Sequence, residues 1–156
     1  MGERNSRRHI QLFWSITREQ VPLDFSRFEG WFAGVERKTL KLGDYSIAGM
    51  EDICVVERKE LPDLVVHSCT SDRCVFTNRL LLITSSLSQI KSPYGGNPNR
   101  ITQSLIAMLA RLQIPFLCSE THELGEEIVA SYLYQVHLYH WLETNDFGRF
   151  LVDNDL

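Results

Sequence analysis

An apolar run that ends in charge constrains this chain more than any other stretch. Ile53, Cys54, Val55 and Val56 lead straight into Glu57-Arg58-Lys59-Glu60-Leu61-Pro62-Asp63, and Gly43-Asp44-Tyr45 stands a short way upstream. A period of two over the second segment puts Ile53, Val55, Glu57 and Lys59 on one face of a strand. Burying Asp44, Glu57 and Lys59 beside such residues costs several kcal/mol per ion unless a partner or a metal offsets it. A site is therefore favoured over a chance cluster.

Alternation also runs from Lys38 to Tyr45, which predicts a strand with Leu40, Leu42 and Asp44 on one face, and Ala48-Gly49-Met50-Glu51-Asp52 reads as the turn between the two strands. A hairpin symmetric about Met50/Glu51 sets Asp44 directly opposite Glu57, with Cβ atoms about 5 Å apart. That spacing suits two carboxylates sharing a divalent cation. The bland alternative is a salt-bridged strand end, Glu57 with Lys59 or Arg58.

The rest of the chain supplies a scaffold. Leu12 to Ile16 reads as a first strand, and Pro22 biases Val21 away from helix. Leu23, Phe25, Phe28, Trp31 and Phe32 have rough helical spacing and read as core, broken by Gly30 and Gly34. Pro62 suits the first turn of a short helix to His67 with Asp63 near its start, and a second short helix is expected over 72–78. Leu80-Leu81-Leu82-Ile83-Thr84 has the unbroken apolar character of a parallel strand. Asn97 and Pro98 open a helix to Leu112 whose stripe of Ile101, Leu105, Met108, Leu109 and Leu112 should face the core. Ile114 to Cys118 forms a strand whose proline demands an edge or a strand start. Thr121 opens a long helix to Leu142, and its wide stripe of Leu124, Ile128, Val129, Tyr132, Val136, Tyr139 and Leu142 leaves room for a second protomer on the 121–142 face. His137 and His140 on that helix read as ordinary helix histidines. Strands alternating with helices make an α/β domain. The working division is a basic leader over 1–10, one domain over 11–145 and a tail over 146–156.

Composition excludes several classes. No apolar run approaches the roughly 18 residues of a membrane span, and no signal-peptide core follows the basic N-terminus, so a soluble, cytoplasmic protein is expected, at the nucleoid if bacterial. Cys54, Cys69, Cys74 and Cys118 form no CxxC pair and read as free thiols; His67, Cys69, Asp72 and Cys74 match no common zinc spacing. The net charge of -4 argues against a bulk electrostatic grip on nucleic acid. Its distribution matters more: residues 1–41 hold eight Lys/Arg against five Asp/Glu (+3), 42–100 six against seven (-1), and 101–156 two against eight (-6). A polyanion should meet the first half.

A cation held by Asp44 and Glu57 would polarise a phosphoryl oxygen and acidify a bound water, while Lys59 on the same face would orient that water or offset developing charge. Phosphodiester hydrolysis fits these parts best. Hard oxygen ligands without histidine favour Mg²⁺, with Mn²⁺ an alternative.

The stretch resembles the signature of the XPF-type structure-specific endonucleases, GD…ERK-x3-D, within the restriction-endonuclease-like group: Gly43-Asp44, Glu57-Arg58-Lys59 and, after three residues, Asp63. Thr17-Arg18-Glu19-Gln20 is similar to the family's D-x-R-E segment, and the resemblance covers roughly residues 11–145. It implies a restriction-endonuclease-like central mixed sheet flanked by helices and a Mg²⁺-dependent endodeoxyribonuclease cutting branched DNA or duplex/single-strand junctions. It further implies a dimer through the nuclease domain, for which the helix from Thr121 is the candidate. Asp44 and Glu57 would ligate the metal, Lys59 would position water or stabilise charge, and Asp63 would support the site. Arg18, Glu19 and Arg58 would contact phosphate or brace carboxylates.

Two departures stand out. Ile16 occupies the place of the acid in the D-x-R-E segment, and only sixteen residues separate Asp63 from Leu80, where the family carries a longer helix. No tandem helix-hairpin-helix module follows within the 156 residues, so weak, salt-sensitive DNA binding is expected. The departures keep open a catalytically weak or inactive DNA-binding or dimer-partner subunit with the same fold. A structural domain whose charges form only a salt-bridge cluster is the third reading.

Overall fold

The computed structural model describes residues 10–14, 23–28, 30–60, 76–90 and 98–145. Their strands are β1 (Ile10–Trp14), β2 (Phe32–Arg37), β3 (Tyr45–Ile47), β4 (Cys54–Lys59), β5 (Asn78–Ile83) and β6 (Phe116–Cys118). Helix α1 (Leu87–Ile90) and helix α2 (Pro98–Ala107), which is extended by a π turn over Met108–Leu112, lie between β5 and β6; α3 (His122–Thr144) follows β6. One six-stranded sheet has the order β2-β1-β3-β4-β5-β6. It is mixed: β3 runs antiparallel to β1 and β4, and the other neighbouring pairs are parallel. Five strands thus point their carboxyl ends the same way.

Two apolar layers sandwich the sheet. Cys54, Val56, Leu80 and Leu82 pack with Val129, Ala130, Leu133 and Val136 of α3 and with Leu23, Phe25, Phe32, Tyr45 and Ile47. Leu81 and Ile83 pack on the other face with Ile90, Ile101 and Leu105 of α1 and α2. Each strand side chain alternates between these layers, as pleating requires. This is an α/β fold with a central mixed sheet flanked by helices.

The hairpin register is the one the sequence predicts: Tyr45 pairs with Val56, which sets residue 44 across from residue 57. β5 is parallel to both its neighbours. β6 is an edge strand preceded by Pro115, whose missing N–H is harmless there. Thr121 is the N-cap of α3, its hydroxyl accepting from the Leu124 amide at 3.1 Å.

Several expectations need correction. The strand expected from Lys38 is confined to Tyr45–Ile47, because residues 41–44 bend and Gly43 has φ +74°; Leu40 turns inward while Leu42 stays exposed. The first strand already includes Ile10 and Gln11, two residues before the expected start at Leu12, while Ser15 and Ile16 at its expected end lie outside the described residues. Among the described residues of 23–33, the helical spacing yields a 3₁₀ turn over Ser26–Phe28 alone, and Phe32 begins β2, a strand stabilised by parallel pairing with β1 rather than by local pattern. Leu23, Phe25 and Phe32 are core as expected, but Trp31 is exposed. At the end of the short helix expected over 72–78, Phe76 and Thr77 are not helical and Asn78 starts β5.

Of the α2 stripe, Ile101 and Leu105 are buried, whereas Leu109 and Leu112 are exposed: the π turn changes the helical phase and Gln113 ends it at φ +52°. On α3 the inward line is Val129, Ala130, Leu133 and Val136, leaving Leu124 and Tyr139 exposed. Among the described cysteines, Cys54 and Cys118 are free thiols. Cys69, Cys74, the 1–9 leader, the 62–67 helix and the 146–156 tail lie outside the described residues.

Candidate active site at the carboxyl end of the sheet

Gly43 shapes the entry to the site. Its φ of +74° and its close approach to β4 both exclude a side chain, since a Cβ there would collide with Val55 Cγ2 and come within 3.0 Å of the Val56 carbonyl oxygen. The chain therefore delivers Asp44 against the end of β4. Its amide donates to the Val56 carbonyl at 2.9 Å, and its Oδ2 accepts from the Arg58 backbone N–H at 2.8 Å. Asp44 grips β4 on both sides of Glu57.

β4 is buried from Cys54 to Val56 and emerges at Glu57 to Lys59. Glu57 and Lys59 pair in parallel register with Leu81 and Ile83, which belong to the α1/α2 layer. The two charged side chains therefore share that face. Lys59 Nζ lies 2.6 Å from Glu57 Oε1, with the side chains 31% and 33% exposed, so solvent or a ligand can reach both. The Thr84 amide and hydroxyl both donate to the Lys59 carbonyl, at 3.1 and 3.4 Å, tying the strand end to β5. Arg58 pairs in register with Leu82, on the α3 face; its side chain is only 7% exposed and its guanidinium is 3.9 Å from Glu60 Oε1.

Asp44, Glu57 and Lys59 are thus brought together. Arg58 contributes its backbone N–H to the site while its side chain takes the opposite face. Asp63, Arg18 and Glu19 lie outside the described residues. Among the described residues, no three His, Cys, Asp or Glu side chains cluster as a metal cage. The donor chemistry of Asp44 with Glu57 nonetheless fits a hard cation. Mg²⁺ is commonly bound through one or two carboxylates, completing its shell with water and substrate phosphate.

A second charged cluster escaped the sequence reading. Glu126, 5% exposed, accepts from Arg27 Nε at 3.1 Å and Nη2 at 2.8 Å, from the Asp24 amide at 3.0 Å, and pairs with His122 Nε2 at 3.2 Å. Arg27 also donates to the Glu123 carbonyl. This network fastens residues 23–28 to the first turns of α3. The available signal was phase: Glu126 stands three and seven residues before Val129 and Leu133, on the inward line of the helix. Bonds from the Ser26 amide and hydroxyl hold the Asp24 carboxyl below its ordinary range. Burial pushes the Cys54 thiol up to about 12 and raises Cys118 as well.

No protein-family model matches the sequence, and no curated protein matches it either. Solved structures do. XPF from Aeropyrum pernix superposes with a TM-score of 0.61 at 14% identity, over 91% of this chain and 72% of that one. XPF from Aeropyrum pernix in complex with DNA gives a TM-score of 0.58 at 16% identity, over 83% of this chain and 65%, just under two thirds, of that chain. The chain thus has the fold of these XPF structures, a restriction-endonuclease-like α/β fold, at identities that speak for fold alone.

Proposed function

We propose that this protein is a metal-dependent DNA endonuclease that hydrolyses phosphodiester bonds at branched DNA or duplex/single-strand junctions. The observation that carries the reading is the placement of Asp44 beside Glu57, with Lys59 on the same face, at the carboxyl end of a sheet that shares the fold of XPF. The neighbour in complex with DNA supports DNA as the partner.

In this reading Asp44 and Glu57 hold Mg²⁺, or Mn²⁺ in its place. The bound cation supplies polarisation of the phosphoryl oxygen and a more acidic water. The Arg58 amide fixes the Asp44 carboxylate so that it needs no reorganisation when substrate arrives. Lys59 Nζ, resting on Glu57 without substrate, turns to the phosphate or the attacking water and offsets the charge that develops. Asp63, Arg18 and Glu19 complete or brace the site. The outer face of α3, where Leu124 and Tyr139 are exposed, is where a second copy would bind; sedimentation would then give twice the 18.1 kDa chain mass.

The test uses labelled splayed-arm and plain duplex DNA with Mg²⁺ or EDTA. Wild type should cut the splayed arm in Mg²⁺ only, Asp44→Ala should not cut, and Lys59→Ala should lose about 10²–10³-fold in rate while still binding Mn²⁺. Folded wild type that cuts nothing with either metal would remove the enzyme reading. The Glu57–Lys59 ion pair is also what a salt-bridged strand end would look like, and that second reading requires Mn²⁺ binding to be indifferent to Asp44.

A further inference from the structure

Charge divides the two helical layers. Residues 73–119 contain no Asp or Glu and five Lys/Arg, whereas residues 120–145 contain five Glu and no Lys or Arg. The first block builds β5, α1, α2 and β6; the second is α3 and its cap. Within the basic block, Arg100 and Arg111 are exposed on α2 and its π extension, and the Arg79 guanidinium donates to the Leu112 carbonyl at 2.9 Å. Because β5 and β6 are parallel, the crossover carries the chain from the carboxyl end of the sheet back to its amino end. Arg100, in the first turn of α2, therefore stands at the end of the sheet where Asp44 and Glu57 sit. Arg111 stands about 16 Å further along the helix, from eleven residues at 1.5 Å each.

The register decides which layer the site serves. Glu57 and Lys59 alternate to the α1/α2 face, and the α3 face opposite carries Glu123, Glu127 and Glu143 on its exposed surface. We infer that the DNA backbone runs along the outer side of α2, from the Asp44–Glu57 end past Arg100 towards Arg111, with acidic α3 turned away from it. This placement rests on the endonuclease reading and adds the surface that reading leaves open. It would let a chain of net charge -4 meet DNA on a layer that carries no carboxylate over residues 73–119, and it moves the expected contact from the first half of the sequence, where summed charge placed it, to α2. The α3 face stays available for a second copy.

Anisotropy of labelled splayed-arm DNA, measured in EDTA with the full chain across a salt series, tests the surface. Arg100→Glu/Arg111→Glu should weaken binding about tenfold near 0.1 M salt and flatten the log–log salt slope by about 1.8, twice the 0.9 expected per phosphate contact. Arg100→Gln/Arg111→Gln should fall between that pair and wild type, guarding against a folding defect in the reversed pair. Glu127→Lys/Glu143→Lys on α3 should change the affinity less than twofold. Wild type that binds and cuts while the α2 pair binds equally well, or an α3 pair with as large an effect, overturns the surface and leaves the enzyme reading standing. Wild type that binds no DNA at low salt removes both.

Discussion

Gly43 is the residue on which the site geometry turns. Its left-handed backbone and its contact with Val55 let Asp44 reach the Arg58 amide, so a side chain there acts on fold and site together. Gly43→Ala should destabilise the protein by about 1–3 kcal/mol, from strained φ added to a steric clash, and should reduce cation affinity even where the protein still folds. Chemical denaturation paired with Mn²⁺ titration separates the two effects. The glycine, the two carboxylates and the lysine were legible in the sequence because their chemistry is local and their hairpin spacing fixes who faces whom. The Glu57–Lys59 pair was legible as well, as the salt-bridged strand end that the spacing also allows, whereas the Arg58 backbone contact was not, since it depends on which way a strand end bends.

Among the elements, the junction between residues 23–28 and α3 rests on a buried carboxylate. Removing its half-exposed partner leaves Glu126 with less compensation, whereas removing Glu126 leaves a guanidinium that can reach water. Arg27→Ala should therefore cost more stability than Glu126→Gln, with the larger loss about 2 kcal/mol, read as a shift in denaturation midpoint at unchanged slope. The sequence conveyed α3 and β4 well, because a 23-residue helix with a Thr cap and a wide apolar stripe, and an apolar strand, carry long patterns. It missed β2, whose Gly34 and Glu36 break the pattern and whose pairing to β1 is parallel and non-local. It placed Leu109 and Leu112 in the core because a π turn shifts phase without leaving a mark in composition.

For the whole molecule, acid sensitivity follows from one histidine before the carboxylates matter. Burial, and secondarily His140, lower the His137 pKa from its ordinary 6.5, so the fold favours neutral imidazole and the unfolded chain binds the proton more readily. Stability should hold above about pH 6.5 and decline as the pH falls from there to the lowered folded value. Asp24 and Glu123, whose folded pKa values are depressed, add a separate loss at still lower pH as they protonate. His137→Gln should flatten the first decline and leave the second, as thermal midpoints across pH will show. The α/β class was legible from alternating elements, whereas the polarity between the two helical layers became meaningful only once the register assigned Glu57 and Lys59 to one of them.

The central claim is that Asp44 and Glu57 share one divalent cation. Calorimetric titration of Mn²⁺ into wild type, Asp44→Asn and Glu57→Gln, each verified as folded, tests it most directly. The account predicts saturable binding by wild type that either substitution weakens at least tenfold; equal heats and affinities in all three proteins would contradict it.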